Sequence, residues 1–452
     1  QGENNGYLIK DKDGKVSNFV GVFGQKTSLP DFTSKAAADW YKAYARTALE
    51  MGQDGWMADY GEWLPVEARM SDGTGGWETH NLYPVLWHKV NREIMDKVRP
   101  DGDYIFFVRS GFTGTAGQAP VVWAGDQQTE FGGYDGMASV IPIMVNLGMA
   151  GAPVVTHDIG GYSSQGVPHR TKELFYRWTA MGAYSPIMRT HHGADAKENW
   201  QWDQDAATIK YFGTMAREHV ALFPYRYTLS QEASAKGIPM VRHLMLHYPK
   251  DPKVSDIKDQ YLLGPSLLVA PVLKDKATSR KVYLPAGSNW RRLTTGAAYA
   301  GGREHDVPAT LEQIPVFAPD GAIIPYLREP VDTLDHKATD STVKGLKTAE
   351  EGELGLWVFT NTDGAYTMYD GASFKLTHVA NGTGTPQLEL DGKVLPACAG
   401  AAKSGCYETV GAKLIRAHLG SIQKGTLKGT GRFTLEISSL PRARKVTVDV
   451  HY

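Results

Sequence analysis

The sequence predicts an α/β fold, in which part of a (β/α)8 TIM barrel is followed by C-terminal β-sandwich domains. Up to about residue 245, short apolar runs alternate with segments whose apolar residues recur at helical spacing. Beyond that point, short strands are interrupted by Pro and Gly, and later strands alternate apolar and polar residues. We therefore predict the C-terminal part of a catalytic barrel at 1–245, a proximal β-sandwich at 246–330 and a distal β-sandwich at 331–452.

The barrel part contains five predicted strands, at residues 55–59, 104–109, 121–123, 152–156 and 185–189. Predicted helices separate them, and a longer helical region is predicted at 205–235. A closed barrel needs eight strands, so three are expected in an N-terminal segment before Gln1, which would be a partner of this chain. An open sheet is the alternative, but no Gly-x-Gly-x-x-Gly follows a strand.

Charge and cysteine content narrow the range of partners and compartments. The 48 basic and 49 acidic residues give a net charge of −1, and no basic stripe or long apolar run is present. Nucleic acid and membranes are therefore not expected as partners, whereas an oligomer remains open. Cys398 and Cys406 lie in a Gly/Ala/Ser-rich loop. A disulfide there would indicate the periplasm or secretion, whereas free thiols would suit the cytoplasm.

The stretch 55–65 is the strongest candidate for chemistry. It begins as an apolar strand and ends at Asp59 and Glu62, among Trp56, Tyr60 and Trp63. Strands of α/β barrels deliver catalytic groups at their carboxyl ends, and aromatic faces beside carboxylates suit a sugar. The alternative is a strand that runs into an acidic turn.

Further polar residues end the other predicted strands, namely Arg109, Asp126, Asp158 and His191. Two carboxylates from different strands suit glycoside hydrolysis, in which one attacks the anomeric carbon and the other protonates the leaving oxygen. Each Asp could instead be a helix N-cap. Because several strand ends carry such residues, helix capping is less favoured as the explanation for the whole set.

A metal site is the competing interpretation, because His157 and Asp158, and His191 and His192, are adjacent. Neighbours in an extended strand point to opposite faces, so at most one of each pair would face a common centre. No His-Glu-x-x-His or zinc-type Cys spacing is present, and no Gly-x-Ser-x-Gly supplies a serine nucleophile. We predict neither a metal nor a cofactor.

Four motifs resemble glycoside hydrolase family 31, the retaining α-glucosidase family, and in particular its sulfoquinovosidase-like bacterial branch. They are Gly55-Trp-Met-Ala-Asp-Tyr-Gly-Glu-Trp-Leu-Pro, Val122-Trp-Ala-Gly-Asp-Gln, His157-Asp-Ile-Gly-Gly-Tyr and Met188-Arg-Thr-His. Residues 83–91 and 261–272 also fit, and the resemblance extends from about residue 6 to about 320. It leaves the distal β region unexplained.

The resemblance implies an exo-acting retaining α-glycoside hydrolase. Asp59 would be the nucleophile that forms a glycosyl ester, and Asp126 would be the general acid and then the base. Carboxyl groups in such pairs lie roughly 5–5.5 Å apart. The residues that the resemblance assigns to substrate binding are Trp56, Glu62, Arg109, Trp123, Asp158, Tyr162, Arg189 and His191.

The resemblance implies that the substrate is an oligosaccharide or another α-glycoside. The residue at position 162 is relevant to which sugar is bound. Many α-glucosidases of the family have Phe at this position, whereas the sulfoquinovosidase-like branch has Tyr, whose hydroxyl helps to bind a sulfonate through water. Tyr162 could instead be an aromatic residue of the pocket wall. The Arg and Trp with which this branch binds the sulfonate would lie before Gln1. A neutral α-glucoside and a sulfoquinovoside both remain open. A non-catalytic carbohydrate-binding protein and a metal-dependent hydrolase are the alternative functions.

Overall fold

A computed structural model describes residues 1–21, 24–329, 331–334, 342–380, 382, 385–400, 403–411 and 413–452. The chain divides into two compact units. The first comprises residues 1–125 and 150–156, and the second comprises residues 126–149 and 157–452.

A parallel sheet forms the centre of the first unit, with its four strands in sequence order. A short antiparallel hairpin precedes it. The elements of this unit are β1 Phe19–Val20, β2 Lys26–Thr27, α1 Lys35–Glu50, β3 Gly55–Ala58, α2 Gly76–Thr79, α3 Tyr83–Val98, β4 Ile105–Val108, β5 Val121–Trp123 and β6 Val155–Thr156. The parallel arrangement and the order of these strands agree with the predicted barrel.

The strand register separates the two faces of this sheet. Met57, Phe107 and Val121 are aligned across β3, β4 and β5, so their side chains share a face. Two residues further along each strand, the same face carries Asp59, Arg109 and Trp123. Three candidate residues are thus brought to one face at the carboxyl ends of adjacent strands.

Local capping explains where α1 begins. The Ser34 side chain accepts a hydrogen bond from the backbone N–H of Ala37, which satisfies a donor of the first turn. Helix α3 has Pro84 in its first turn, where a missing N–H costs nothing.

The second unit contains four α-helices ahead of its β regions: α4 Val140–Met149, α5 Lys172–Ala183, α6 Ala206–Ala221 and α7 Phe223–Lys236. The helical region predicted at 205–235 is thus two helices, which meet at Leu222. Pro224 has no N–H to continue the hydrogen bonding of α6 and instead occupies the first turn of α7.

The strand predicted at 185–189 is wrong. The Ser185 hydroxyl donates to the carbonyl oxygens of Gly182 and Ile187, which holds a turn directly after α5. Pro186 also removes a donor that a sheet ladder would need. The β pairing of this segment with the segment after β6 is a single parallel bridge, between Ile159 and Thr190.

Two sheets form the first β region of this unit. Its strands are β7 Val241–Arg242, β8 Tyr261–Leu263, β9 Leu267–Val269, β10 Ser279–Leu284, β11 Asn289–Arg292, β12 Ala298–Ala300, β13 Arg303–Pro308 and β14 Val316–Pro319. Strands β10 and β13 form a separate pair, and the others form an antiparallel sheet in the order β12-β11-β14-β9-β8-β7. Apolar residues of both sheets, including Val282, Trp290 and Phe317, pack in a common core.

The second β region also has two sheets around one core. Its elements are β15 Ile323–Leu327, α8 Leu346–Glu351, β16 Leu354–Phe359, β17 Gly364–Thr367, β18 Ser373–His378, β19 Leu388–Leu390, β20 Lys393–Val394, β21 Cys406–Gly411, β22 Leu414–Ile422, β23 Gly425–Gly429, β24 Phe433–Ser438 and β25 Arg444–His451. The sheets have the orders β15-β16-β25-β22-β21 and β17-β18-β24-β23-β19-β20. The alternating pattern after residue 354 correctly predicted strands.

In this region, some strands pair with partners that the sequence pattern did not predict. Strand β15 lies within the range predicted for the proximal sandwich, yet it pairs with β16. Strands β16 and β25 run parallel, whereas the other described strand pairs of this region are antiparallel. The domain boundaries at 245 and 330 stay a prediction.

Cys398 and Cys406 form a disulfide, which is one of the two alternatives left by the sequence. None of the helices in the described ranges has both the length and the apolar character needed to cross a bilayer.

Candidate active site

Asp59 directly follows β3, and the backbone turns sharply after it. Tyr60 has a φ of 64° and Gly61 a φ of 105°, both in the left-handed region. The Tyr60 N–H donates to Asp59 Oδ1 at 2.8 Å, and the Ser110 hydroxyl donates to the Tyr60 carbonyl at 2.6 Å. A Cβ on Gly61 would lie 2.7 Å from Ser110 Oγ, so this close approach requires glycine.

Arg109 holds the two carboxylates of this motif. Its Nη1 lies 3.2 Å from Asp59 Oδ1, and its Nη2 donates to Glu62 Oε1. The guanidinium carbon also lies 4.7 Å from the centre of the Tyr60 ring. One rigid cation with several fixed donors therefore sets the positions of both acids.

A cavity of about 210 Å³ adjoins Asp59 within the first unit. Its lining is largely aromatic, and the rings belong to Phe19, Phe32, Tyr41, Tyr60, Trp63, Tyr83 and Trp87. Such a surface offers flat apolar faces beside a carboxylate, which is the combination that a sugar ring with C–H faces and hydroxyls can use.

The two predicted tryptophans lie on different faces of the sheet. Trp123 is fully buried, packs edge-on against Phe107, and has its ring 6.0 Å from the Arg109 guanidinium carbon. Trp56 lies on the opposite face, where its indole N–H donates to Asn91 of α3 at 2.8 Å. Trp56 is therefore not brought together with Asp59, and we leave it out of the proposed site.

Asp126 belongs to the second unit, where its side chain is exposed. The residue after it, Gln127, accepts hydrogen bonds at its carbonyl oxygen from the N–H groups of Tyr162 (2.7 Å) and Ser163 (3.0 Å). The N–H of Thr129 in turn donates to the Ser163 carbonyl at 2.9 Å. The segment that carries Asp126 is thus fixed to the segment that carries Tyr162.

Asp158 is buried and forms an ion pair with Arg189, whose side chain is partly exposed. Arg170 is a residue that the sequence reasoning missed. It donates to the carbonyl oxygens of Gly161 at 3.1 Å and His191 at 2.9 Å, and burial lowers its pKa to about 10. No local pattern marks Arg170, because its partners lie in two separate segments.

Tyr162 and His191 contact each other edge to face, with ring centres 5.0 Å apart. His191 Nδ1 accepts from the Gly193 N–H at 3.0 Å. Burial lowers the pKa of His191 to about 4, and the charges of His192, Arg189 and Arg170 act in the same direction. His191 is therefore neutral at pH 7 and can both donate and accept hydrogen bonds.

His157 has a structural partner. Its Nδ1 accepts a hydrogen bond of 3.0 Å from the Trp178 indole, and burial, aided by the charge of Arg189, lowers its pKa to about 3. Across the described ranges, no three His, Cys, Asp or Glu side chains are grouped so that they could hold a metal ion.

The structure groups the predicted residues within each unit. Asp59, Glu62, Arg109 and Trp123 share one face in the first unit. Asp126, Asp158, Tyr162, Arg189 and His191 lie on segments of the second unit that backbone hydrogen bonds and Arg170 connect.

Comparison with known proteins shows which protein family this chain is similar to. Residues 1–229 match the glycosyl hydrolases family 31 TIM-barrel domain, and residues 237–324 match the family 31 C-terminal domain. A sulfoquinovosidase of Agrobacterium fabrum is 40% identical over 318 residues, which cover 70% of this chain and 48% of that protein. The chain thus spans about half the length of the curated relatives it matches.

Solved structures give the same assignment. A family 31 sulfoquinovosidase from E. rectale superposes with a TM-score of 0.67 at 36% identity, over 71% of this chain and 48% of that one. A Flavobacterium johnsoniae family 31 dextranase shares the fold over 97% of this chain and 59% of its own, with a TM-score of 0.73 at 23% identity. The distal β region, which the motifs left unexplained, therefore has a counterpart in fold. The predicted barrel followed by β-sandwich structure is confirmed, and this chain belongs to glycoside hydrolase family 31.

Proposed function

We propose that this chain carries the catalytic residues of an exo-acting retaining α-glycosidase, which releases a terminal α-linked glucose-type sugar. The observation that supports this most directly is the Asp59–Arg109–Glu62 arrangement at the end of β3, beside an aromatic cavity. A carboxylate held by a cation and a backbone N–H keeps one orientation, as a nucleophile requires.

In the first step, Asp59 attacks the anomeric carbon and the bond from this carbon to the leaving oxygen breaks. Asp126 donates its proton to that oxygen, and a glycosyl ester forms on Asp59. The Tyr60 N–H and the closest nitrogen of Arg109 both lie at Oδ1. We therefore assign the attack to Oδ2. In the second step, Asp126 takes a proton from water while the water oxygen attacks the anomeric carbon. The bond from this carbon to Asp59 breaks, which frees the carboxylate and releases the α-sugar.

The remaining residues would bind and orient the sugar. Glu62 and Asp158 can accept hydrogen bonds from its hydroxyls, Arg109 and Arg189 can donate to them, and neutral His191 can do either. Trp123 would support the pocket wall. These roles rest on the family resemblance and on the partners described above.

A proton NMR time course on an activated α-glucoside tests the reaction class. Retention predicts that the α-anomer of the free sugar forms first and then mutarotates. A first-formed β-anomer would reject the double displacement. Binding of the glucoside without any hydrolysis would favour a non-catalytic carbohydrate-binding protein, and loss of activity in a strong chelator would favour a metal-dependent hydrolase.

We propose a sulfoquinovoside as a second candidate substrate, because Tyr162 places a hydroxyl-bearing ring against His191 and two similar proteins bear the name sulfoquinovosidase. The test compares kcat/KM for the 4-nitrophenyl α-glycosides of sulfoquinovose and glucose. A sulfonate role predicts that Tyr162→Phe lowers kcat/KM for the sulfonated substrate by about tenfold and leaves that for the glucoside within about twofold. Equal losses on both substrates would assign Tyr162 to the pocket wall.

A further inference from the structure

Tyr60, between the two carboxylates of the candidate site, has a backbone conformation that a tyrosine rarely adopts. Its φ of 64° lies in the left-handed region, which glycine, asparagine and aspartate tolerate best. Strain of this kind persists only where surrounding contacts impose it, and strained residues cluster at functional sites. The contacts that hold Tyr60 in this conformation therefore indicate how the site is kept in shape.

The side chain of Tyr60 is used in the site, so a glycine would not serve at this position. Its ring lies 4.7 Å from the guanidinium carbon of Arg109 and packs edge-on against Trp63, with ring centres 5.1 Å apart. It also lines the aromatic cavity beside Asp59. Because the ring is needed, other groups have to stabilise the left-handed backbone.

Ser110 holds the carbonyl group of Tyr60. Ala58 is aligned with Val108 across β3 and β4, so Tyr60 and Ser110 follow level with each other at the carboxyl ends of these strands. The Ser110 hydroxyl donates to the Tyr60 carbonyl at 2.6 Å, and Ser110 is only 9% exposed. Burial limits competition from water for this hydrogen bond.

The bond from Ser110 affects Asp59 through the backbone of Tyr60. The N–H of Tyr60 donates to Asp59 Oδ1 at 2.8 Å. Only the two backbone torsions of Tyr60 separate this N–H from the carbonyl that Ser110 holds, so fixing the carbonyl of a left-handed residue also fixes the direction of its N–H. Ser110 directly follows Arg109, so the end of β4 contacts the Asp59 motif twice, once at a side chain and once at the backbone.

We propose that Ser110 is a positioning residue for the reaction and acts on Asp59 through the left-handed backbone of Tyr60. Its role rests on the proposed function of Asp59 as the nucleophile. Without the Ser110 hydroxyl, Tyr60 would relax towards ordinary backbone angles, and its N–H would no longer orient the carboxylate. Arg109 would still contact Asp59, so the reaction should slow but not stop.

Steady-state kinetics of Ser110→Ala test this role on whichever 4-nitrophenyl α-glycoside the parent hydrolyses faster, that of glucose or that of sulfoquinovose. We expect kcat to fall by about tenfold, with KM within about twofold of the parent. The reason is that the orientation of the nucleophile matters in the transition state and not in substrate binding. An unchanged kcat would overturn the proposal.

Ser139→Ala is the matched control. Ser139 is also buried, and its hydroxyl donates to the backbone carbonyl of Gly136 at 2.7 Å. Each variant loses one such hydrogen bond, so the urea midpoint should fall by a similar amount in both, whereas kcat should fall only in Ser110→Ala. Equal falls in kcat would assign Ser110 a merely structural role and overturn the proposal.

A double-mutant cycle tests the route through Tyr60. Asparagine adopts the left-handed conformation more readily than tyrosine, so it depends less on Ser110. The loss in kcat caused by Ser110→Ala should therefore shrink from about tenfold in the parent to about twofold in a Tyr60→Asn background. A loss of the same size in both backgrounds would overturn the proposal. If Ser110→Ala does not fold, Ser110→Cys, with its weaker donor, replaces it, and we then expect a loss of about threefold.

Asp59→Asn separates the role of Ser110 from the proposed function. An inactive Asp59→Asn together with an unchanged kcat in the Ser110 variant would reject the positioning role alone. An active Asp59→Asn would reject the nucleophile, and the role of Ser110 with it.

Discussion

The backbone N–H of Tyr162 donates a 2.7 Å hydrogen bond to the carbonyl oxygen of Gln127, the residue that follows Asp126. This bond fixes the segment of the proposed acid/base to the segment that carries Asp158 and Tyr162. The two segments approach so closely that Gly161 has no room for a side chain, because a Cβ there would lie 2.7 Å from the Gln128 carbonyl oxygen.

Gly161→Ala should therefore destabilise the protein more than an alanine at an uncrowded glycine with a similar backbone angle. Gly161 has a φ of 79° and Gly166 a φ of 75°, but Gly166 has open space around it. We expect Gly161→Ala to lower the free energy of unfolding by about 2–4 kcal/mol, and Gly166→Ala by about 1 kcal/mol. Urea unfolding curves measure both, and equal losses would contradict the steric explanation.

Asp59→Asn should abolish turnover without unfolding the protein. The amide keeps the shape of the side chain but cannot form the glycosyl ester, so kcat should fall by roughly 10⁴-fold on an activated α-glucoside. Asp54→Asn is the matched control, because Asp54 precedes β3 at its other end and pairs with Arg99 on the surface. The control should retain nearly full activity. A variant at position 59 with substantial activity would remove the nucleophile from our proposal.

Arg109→Lys should lower catalysis although the positive charge is kept. Lysine cannot reproduce the planar fork that reaches Asp59 and Glu62 together, so both carboxylates lose their fixed orientation. We expect kcat to fall by roughly 10- to 100-fold with a smaller change in KM. Arg99→Lys, at the ion pair with Asp54 away from the candidate site, should change neither constant. If both variants behaved alike, the guanidinium geometry would not matter for catalysis.

His157 should make stability depend on pH between about 6.5 and about 3. Burial, aided by the charge of Arg189, lowers its pKa in the folded protein from 6.5 to about 3. Between these values the unfolded chain binds a proton that the folded protein does not. The stabilisation is therefore fully present above pH 6.5 and is progressively lost as the pH falls through this window.

His157→Gln should weaken that dependence, since Gln can still accept the hydrogen bond from the Trp178 indole but does not titrate. Urea midpoints measured from pH 7 to pH 4 give the slope for each protein. The control is His169→Gln, whose parent side chain is about half exposed and should contribute little to the slope. An unchanged slope in His157→Gln would mean that other groups dominate the acid sensitivity.

Local periodicity was sufficient to predict much of the fold. The apolar run at 55–58 and the helical spacing after Ser34 each depend on near neighbours in the chain, and the structure has β3 and α1 at those places. The motif around Asp59 also predicted a carboxylate at a strand end, because strand direction alone places it there. The strand predicted at 185–189 failed because Pro186 and the hydrogen bonds of Ser185 favour a turn over an isolated apolar run.

Partners far apart in the chain could not be predicted in this way. Arg170 contacts carbonyl groups of two separate segments, and β16 pairs in parallel with β25 almost a hundred residues later. Such pairings depend on which surfaces fit together when the whole chain packs. The local pattern of side chains does not specify them.

The sequence by itself determined the strands, the helices and the chemical groups at strand ends. Only the tertiary structure decided that Arg109 joins Asp59 to Glu62 and that Trp56 turns towards Asn91. Each of these depends on the register and packing of several segments at once.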